Sequence, residues 1–235
     1  MGKPEVINAD ELGLALGLIV HDLRNPAATI TANVDFLQEV GLTDDESMEA
    51  LDDVKLAVRE LRRGLDLVAW ISRWMSGQVP LEAASGDAGV FLQRLERVDT
   101  PVSVEVTVDA AGQLYAQGAQ VAVEVATLLL HNTAANVLDG TARIRVYEAD
   151  NRVVIEYEDG GQAVAEELRA GAFRLEGQRD LKGRSDGRYS RFVGLFAAAV
   201  VLEGVGGTIE ADGEHGAAIF RIRLRQARPT RPPTP

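Results

Sequence analysis

The 235-residue chain contains no cysteine, which excludes disulfides and thiolate metal sites and leaves an oxidising compartment unnecessary. Positive charge is also in short supply: 24 Lys and Arg stand against 36 Asp and Glu, a formal net charge of -12. A field of that sign repels nucleic acid and anionic membrane surfaces, so no nucleic-acid partner is expected. Long apolar runs are missing as well. The nearest, Leu12 to Val20, follows Asp10 and Glu11 rather than a basic region, and it is far short of the roughly 20 residues that span a bilayer. No membrane insertion is expected, and the chain reads as cytoplasmic. No internal repeat is visible. What the chain does have is 46% hydrophobic residues, enough to build the core of one large domain or two modest ones.

Two periods divide those apolar residues. Beyond a short extension over 1–9, Leu12, Leu16, Ile19, Leu23, Ala27, Ile30, Val34 and Leu37 recur at steps of three and four, drawing one stripe down a long helix. The turn signal "GLTDDES" follows, with Thr43 or Asp44 placed to cap a second helix. Its stripe runs through Leu51, Val54, Val58, Leu61, Leu65, Val68, Ile71 and Met75. Residues 10–78 therefore form a helical hairpin with one apolar face too many, which a homodimeric four-helix bundle would cover. A linker rich in small residues covers 79–86. From 87 to 225 the texture is mixed: "VSVEVTVD", "ARIRVYEAD", "RVVIEYED" and "AAIFRIRL" alternate as half-buried strands, while "QVAVEVATLLLHNTAANVL" and "RFVGLFAAAVVLEG" read as helices. This predicts an α/β sandwich with helices on one face of a mixed sheet. Residues 226–235 form a Pro-rich tail.

On the first helix, "LIVHDLRNPAAT" holds a histidine beside an acid and one turn before an asparagine and a proline. His21 lies two residues from Ile19 and from Leu23, about 200° around the helix from each, so it faces away from the core stripe. Asn25 sits above it on the same face, Asp22 is adjacent, and Pro26 removes a backbone donor and bends the helix. Neutral imidazole is a nucleophile at physiological pH, a carboxylate can orient or deprotonate it, and an amide can position water. Spacing alone is met equally by a surface histidine in a kinked helix, and on that ground alone the plainer reading is favoured.

"HDLRNP" resembles the H-box of sensor histidine kinases, which lies on the first helix of a dimeric hairpin. "TLLLHNTAANVL" is similar to their N-box, "IEYEDGGQAV" to their Asp-x-Gly-x-Gly box, and "FVGLFAAAVVLEGVGGTIEADGEHGAAIFRIRL" to the second glycine box and closing strands of the GHKL (Bergerat-type) ATP-binding domain. The resemblance covers most of the chain. It implies His21 as phosphoacceptor with Asp22 and Asn25 in support, and response-regulator receiver domains as partners. It further implies Asn132 as the magnesium ligand, with Asp159, Gly161 and Gly194 in the nucleotide site, should Mg–ATP be the cofactor.

The departures fall on the nucleotide side. Leu128 stands where the family has a further asparagine, and a leucine cannot coordinate a cation. Ala135 replaces a common lysine or arginine, Ala163 the second glycine of the aspartate box, and Phe192 and Val193 the opening Gly-Leu of the second glycine box. Such a loop offers fewer backbone N–H groups to a triphosphate. Arg174 to Arg191 takes the place of the lid over ATP; its basic residues either meet phosphates or form a solvated loop of mixed charge. His131 is expected to be packed or at the surface, His215 a turn residue, Trp70 and Trp74 core or dimer packing, and Gly206 and Gly207 the step into a strand. The favoured function is a histidine phosphotransferase with weak or no ATP use. The alternatives are an ATP-dependent kinase autophosphorylating His21 and a non-catalytic scaffold that binds receiver domains.

Overall fold

The computed structural model describes residues 9–40, 45–75, 85–98, 100–136, 140–182, 184, 188–213 and 217–228. The two stripes form two long helices, α1 (Ala9–Val40) and α2 (Asp45–Met75). Asp45 and Glu46 open α2, where negative charge meets the positive end of the helix dipole. Thr43 and Asp44, the expected caps, lie outside the described residues. Pro26 is buried inside α1 and leaves the carbonyl of Asp22, one turn back, without its helical donor.

The second half begins with β1 (Gly86–Asp87), α3 (Ala88–Leu92), a 3₁₀ turn over Gln93–Arg97, β2 (Ser103–Asp109) and β3 (Tyr115–Ala116). The Asp87 carboxylate accepts from the Val90 N–H at 3.2 Å and caps α3. Then come α4 (Ala119–Asn136), β4 (Thr141–Ala149), β5 (Arg152–Gln162), α5 (Glu166–Arg169), α6 (Leu175–Leu181), a 3₁₀ segment over Arg188–Val193, α7 (Gly194–Gly204), β6 (Thr208–Asp212) and β7 (Ala217–Arg225). Gln226 and Ala227, expected in the tail, instead pair with β3, and the Ala227 N–H donates to the Tyr115 carbonyl at 2.8 Å.

Five strands make one sheet in the order β2-β4-β5-β7-β6, parallel between β2 and β4 and antiparallel elsewhere. Alternation splits its faces. Ile144, Val146, Ile155, Tyr157, Phe220 and Ile222 are buried with Leu129 and Leu130 of α4 and Ala198 and Leu202 of α7 in one core. Arg145, Glu156, Arg221 and Glu210 align across neighbouring strands, and the ion pairs Arg145–Asp109, Arg221–Glu156 and Arg223–Glu210 lace that side of the sheet. A smaller apolar cluster joins the two halves: Ala15 and Ile19 of α1 pack with Leu175 of α6 and Val193. The helical hairpin followed by a mixed α/β domain is the expected architecture.

Candidate functional site

His21 projects from α1 with 67% of its side chain exposed, and its Nδ1 lies 3.2 Å from Asp22 Oδ1. Asn25 is exposed one turn on. Asp22 is different: only 12% of its side chain is exposed. Its Oδ1 also meets the Lys182 ammonium, and its Oδ2 accepts the Phe192 backbone N–H at 2.7 Å. Lys182 additionally donates to the Leu18 carbonyl at 3.3 Å. The acid beside the histidine is therefore gripped by the second half of the molecule.

Three local features build that grip. Lys182 follows α6 directly, its N–H closing on the Arg179 carbonyl. Phe192 and Val193 both adopt left-handed backbone at φ 52, an uncommon conformation for any side-chain-bearing residue and a strained one for a β-branched valine. Buried Val193 holds this turn against α1. Finally, Gly64 of α2 leaves room for the Phe192 ring; a methyl group there would overlap that ring and come within 2.8 Å of Leu23 Cδ2. Two basic residues of the lid segment reach the hairpin: Lys182 pairs with Asp22 and Arg191 with Glu60, while Arg179 stays solvent-exposed beside Asp180. Sequence reading missed Lys182 and Gly64. A glycine in the middle of a long helix, where it costs about 1 kcal/mol against alanine, was the available signal.

On the nucleotide side Asp159 is 1% exposed at the end of β5. Its Oδ2 accepts from the Thr133 hydroxyl at 2.6 Å and from the Tyr189 hydroxyl at 2.5 Å, and its Oδ1 from the Gly161 N–H at 2.9 Å. Tyr157 lies 2.7 Å from the Thr133 hydroxyl, and Tyr189 packs edge-on against Phe220 with ring centres 4.6 Å apart. Both tyrosines are fully buried. Gly194 opens α7 with Leu128 against it, 3.5 Å from where a Cβ would stand.

Asn132, 8% exposed, instead lines a cavity of 320 Å³ between α2 and α4, with Leu128, His131, Arg63 and Phe192 in its wall. Burial, helped by the Arg63 charge and opposed by Asp66, pushes the His131 imidazole below its ordinary value of 6.5. Among the described residues no group of three His, Cys, Asp or Glu is placed to hold a metal. His215 and the side chains of Ala135, Trp70 and Trp74 lie outside the described residues.

No family model matches the chain. Over 227 residues it is 28% identical to the signal transduction histidine-protein kinase AfsQ2 of Streptomyces coelicolor, a stretch covering 88% of this chain and 40% of AfsQ2. Among solved structures it superposes on the Acinetobacter baumannii histidine kinase AdeS with a TM-score of 0.62 at 16% identity, over 88% of this chain and 98% of that one. It superposes on histidine kinase ThkA, solved with the response regulator protein TrrA, with a TM-score of 0.65 at 16% identity, over 93% of this chain and 63% of ThkA. This is a histidine kinase architecture. The chain spans only 40% of the length of the curated relative. Within the histidine kinase fold, the hairpin carries the H-box-like His21 on its exposed face, and the second domain meets it through the lid segment and the turn before α7. No helix among the described residues is long and apolar enough to cross a membrane.

Proposed function

We propose that the chain is a two-component histidine phosphotransferase: His21 takes a phosphoryl group from one receiver aspartate and returns it to another, with little or no use of ATP. The observation that carries this reading is the state of Asp159, the residue that would recognise adenine in the resembling family. Both of its oxygens accept from donors of the same chain, Tyr189 among them, and the carboxylate is 1% exposed. To meet adenine, a carboxylate already bonded internally and 1% exposed would first have to be uncovered, which offsets what the new hydrogen bond contributes. Leu128 against Gly194 likewise puts a hydrocarbon where a magnesium site needs oxygen. Both features weigh against Mg–ATP and support a phosphoryl donor other than nucleotide.

The transfer itself needs only what surrounds His21. A carboxylate oxygen has no proton to give, so the 3.2 Å contact to Asp22 places the ring proton on Nδ1 and leaves the Nε2 lone pair facing solvent. Nε2 attacks the phosphorus of a receiver acyl phosphate; the N–P bond forms as the P–O bond breaks, and the electron pair leaves with the receiver carboxylate. The imidazolium charge that results is balanced by Asp22 through the retained Nδ1 proton, and positioning supplies most of the rate. The TrrA complex of ThkA supports a receiver domain as the partner class. A homodimer formed by the hairpin completes the proposed assembly.

The test has two arms. Radiolabelled phosphoryl from a phosphorylated receiver is expected on wild-type protein as acid-labile label and to be absent from His21→Ala. Incubation with labelled Mg–ATP is expected to leave the protein unlabelled, and titration calorimetry to show no micromolar binding. Labelling of His21 by ATP, lost in Asp159→Ala, would replace this reading with the autokinase.

A further inference from the structure

The second domain occupies more than half of the chain, and beside its apolar docking on Ala15 and Ile19 its side-chain hydrogen bonds to α1 centre on one carboxylate. Asp22 Oδ1 meets both His21 Nδ1 and the Lys182 ammonium, while Oδ2 takes the Phe192 N–H at 2.7 Å. We infer that Lys182, seconded by the backbone N–H of Phe192, is a positioning residue for phosphotransfer: the second domain clamps Asp22 so that Asp22 fixes the tautomer and ring plane of His21. This inference rests on the phosphotransfer reading above.

The physical argument starts from freedom. An aspartate on an exposed helix face has several rotamers, and a neighbouring histidine has its own; a bond between adjacent residues is too weak to hold both. Two further donors on opposite oxygens leave Asp22 one rotamer. Charge-assisted bonds of this kind are the stronger class. Lys182 is itself held: its ammonium also reaches the Leu18 carbonyl, and only 19% of its side chain is exposed. Phe192 is held by its left-handed backbone and by the slot at Gly64. The docking cluster of Ala15, Ile19, Leu175 and Val193 keeps α6 and the turn before α7 on α1. Each support is apolar or backbone, so the clamp needs no ligand to close.

In a free histidine side chain the Nε2–H tautomer predominates, and it puts the proton on the nitrogen that must attack a receiver phosphoryl. Holding the proton on Nδ1 is the work that Asp22 does for His21, and Lys182 does for Asp22. Among the described residues Lys182 and Phe192 both bond the Asp22 carboxylate, so their influence on the imidazole passes through it.

The experiment is a double-mutant cycle on the full chain, read by receiver-to-His21 transfer rate and by ¹⁵N shifts of the His21 ring. Lys182→Ala is expected to slow transfer about tenfold and to move the ring towards the Nε2–H tautomer, with Lys182→Arg restoring both. In an Asp22→Asn background Lys182→Ala is expected to cost nothing further. Faster transfer in Lys182→Ala would overturn the inference, making the contact inhibitory. An equal loss in both backgrounds would overturn it too, placing Lys182 against the receiver instead. Should wild-type protein accept no phosphoryl at all, the phosphotransfer reading fails by itself, and the ring shifts of the unphosphorylated variants still decide whether the clamp exists.

Discussion

Asp22 and Asp159 are two carboxylates with opposite fates in one chain. The first keeps an exposed histidine as a neighbour, and the second has been closed over. Asp22→Asn retains shape but gives Nδ1 a partner that can also donate, and it is expected to slow receiver-to-His21 transfer by one to two powers of ten, measured in single-turnover labelling. At the other carboxylate, Tyr189→Phe removes a buried donor without changing volume. It is expected to cost about 1–3 kcal/mol in urea unfolding, because the buried carboxylate loses a partner it cannot replace with water. His131 gives a pH signature. Its folded value lies below 6.5, so the unfolded chain binds the proton more readily. The stability present above that pH is then lost as pH falls from 6.5 through the depressed folded value. Melting temperature is expected to drop between pH 8 and pH 5.5 more steeply in wild type than in His131→Gln. That His21 and Asn25 face solvent, with Asp22 against Nδ1, was legible because helical spacing within six residues implies it. Lys182 and Tyr189 were not, since their partners lie 160 and 30 residues away and no local pattern links an ammonium or a phenol to a distant acid.

Helices α1 and α2 were legible because each repeats its period for more than 30 residues, and the four long strands because alternation survives wherever one face is buried. Short elements carry no such signal. The seven residues of α6 lie within a segment of mixed charge that reads as loop, whereas β6, five residues long, is announced only by Gly206 and Gly207 as the step into a strand. Helix α7 was placed, yet its start was not: sequence extends the helix back to Arg191, whereas Phe192 and Val193 break it at positive φ. Tertiary contact with α1 overrides propensity there. Gly64→Ala tests that statement. By helix propensity alone the change would stabilise α2 by up to about 1 kcal/mol. Because the new methyl group would overlap Phe192 and crowd Leu23, it is expected instead to lift the turn before α7 from the hairpin. Amide exchange over 188–193 is expected to rise while exchange in β5 and β7 stays unchanged. Slower exchange throughout would mean that α2 gains its propensity without paying in contacts.

The hairpin leaves a wide apolar surface open to water. Leu16 and Val20 of α1 are 49% and 45% exposed, and Val58 and Leu65 of α2 are 46% and 54% exposed. Single exposed leucines are ordinary, but a run of them along one helical hairpin is an interface wanting a partner. The second domain docks on another face of the same turns, where Leu175 and Val193 pack on Ala15 and Ile19 of α1. A second hairpin of the same sequence has the matching period and length, and two-fold pairing buries both stripes at once without creating an open-ended assembly. Sedimentation equilibrium at micromolar concentration is therefore expected to give a species of twice the 25.3 kDa chain mass. Leu65→Glu combined with Val58→Glu, two exposed positions one heptad apart on the same stripe, places charges in the seam and is expected to return the single-chain mass. His21→Ala, a change at a solvent-facing position, is expected to leave the dimer intact. A 25.3 kDa species for the unaltered chain would sink the dimer. The clamp on Asp22, built entirely from contacts within one chain, would survive that outcome, so the loss of partner and the loss of transfer are separable measurements.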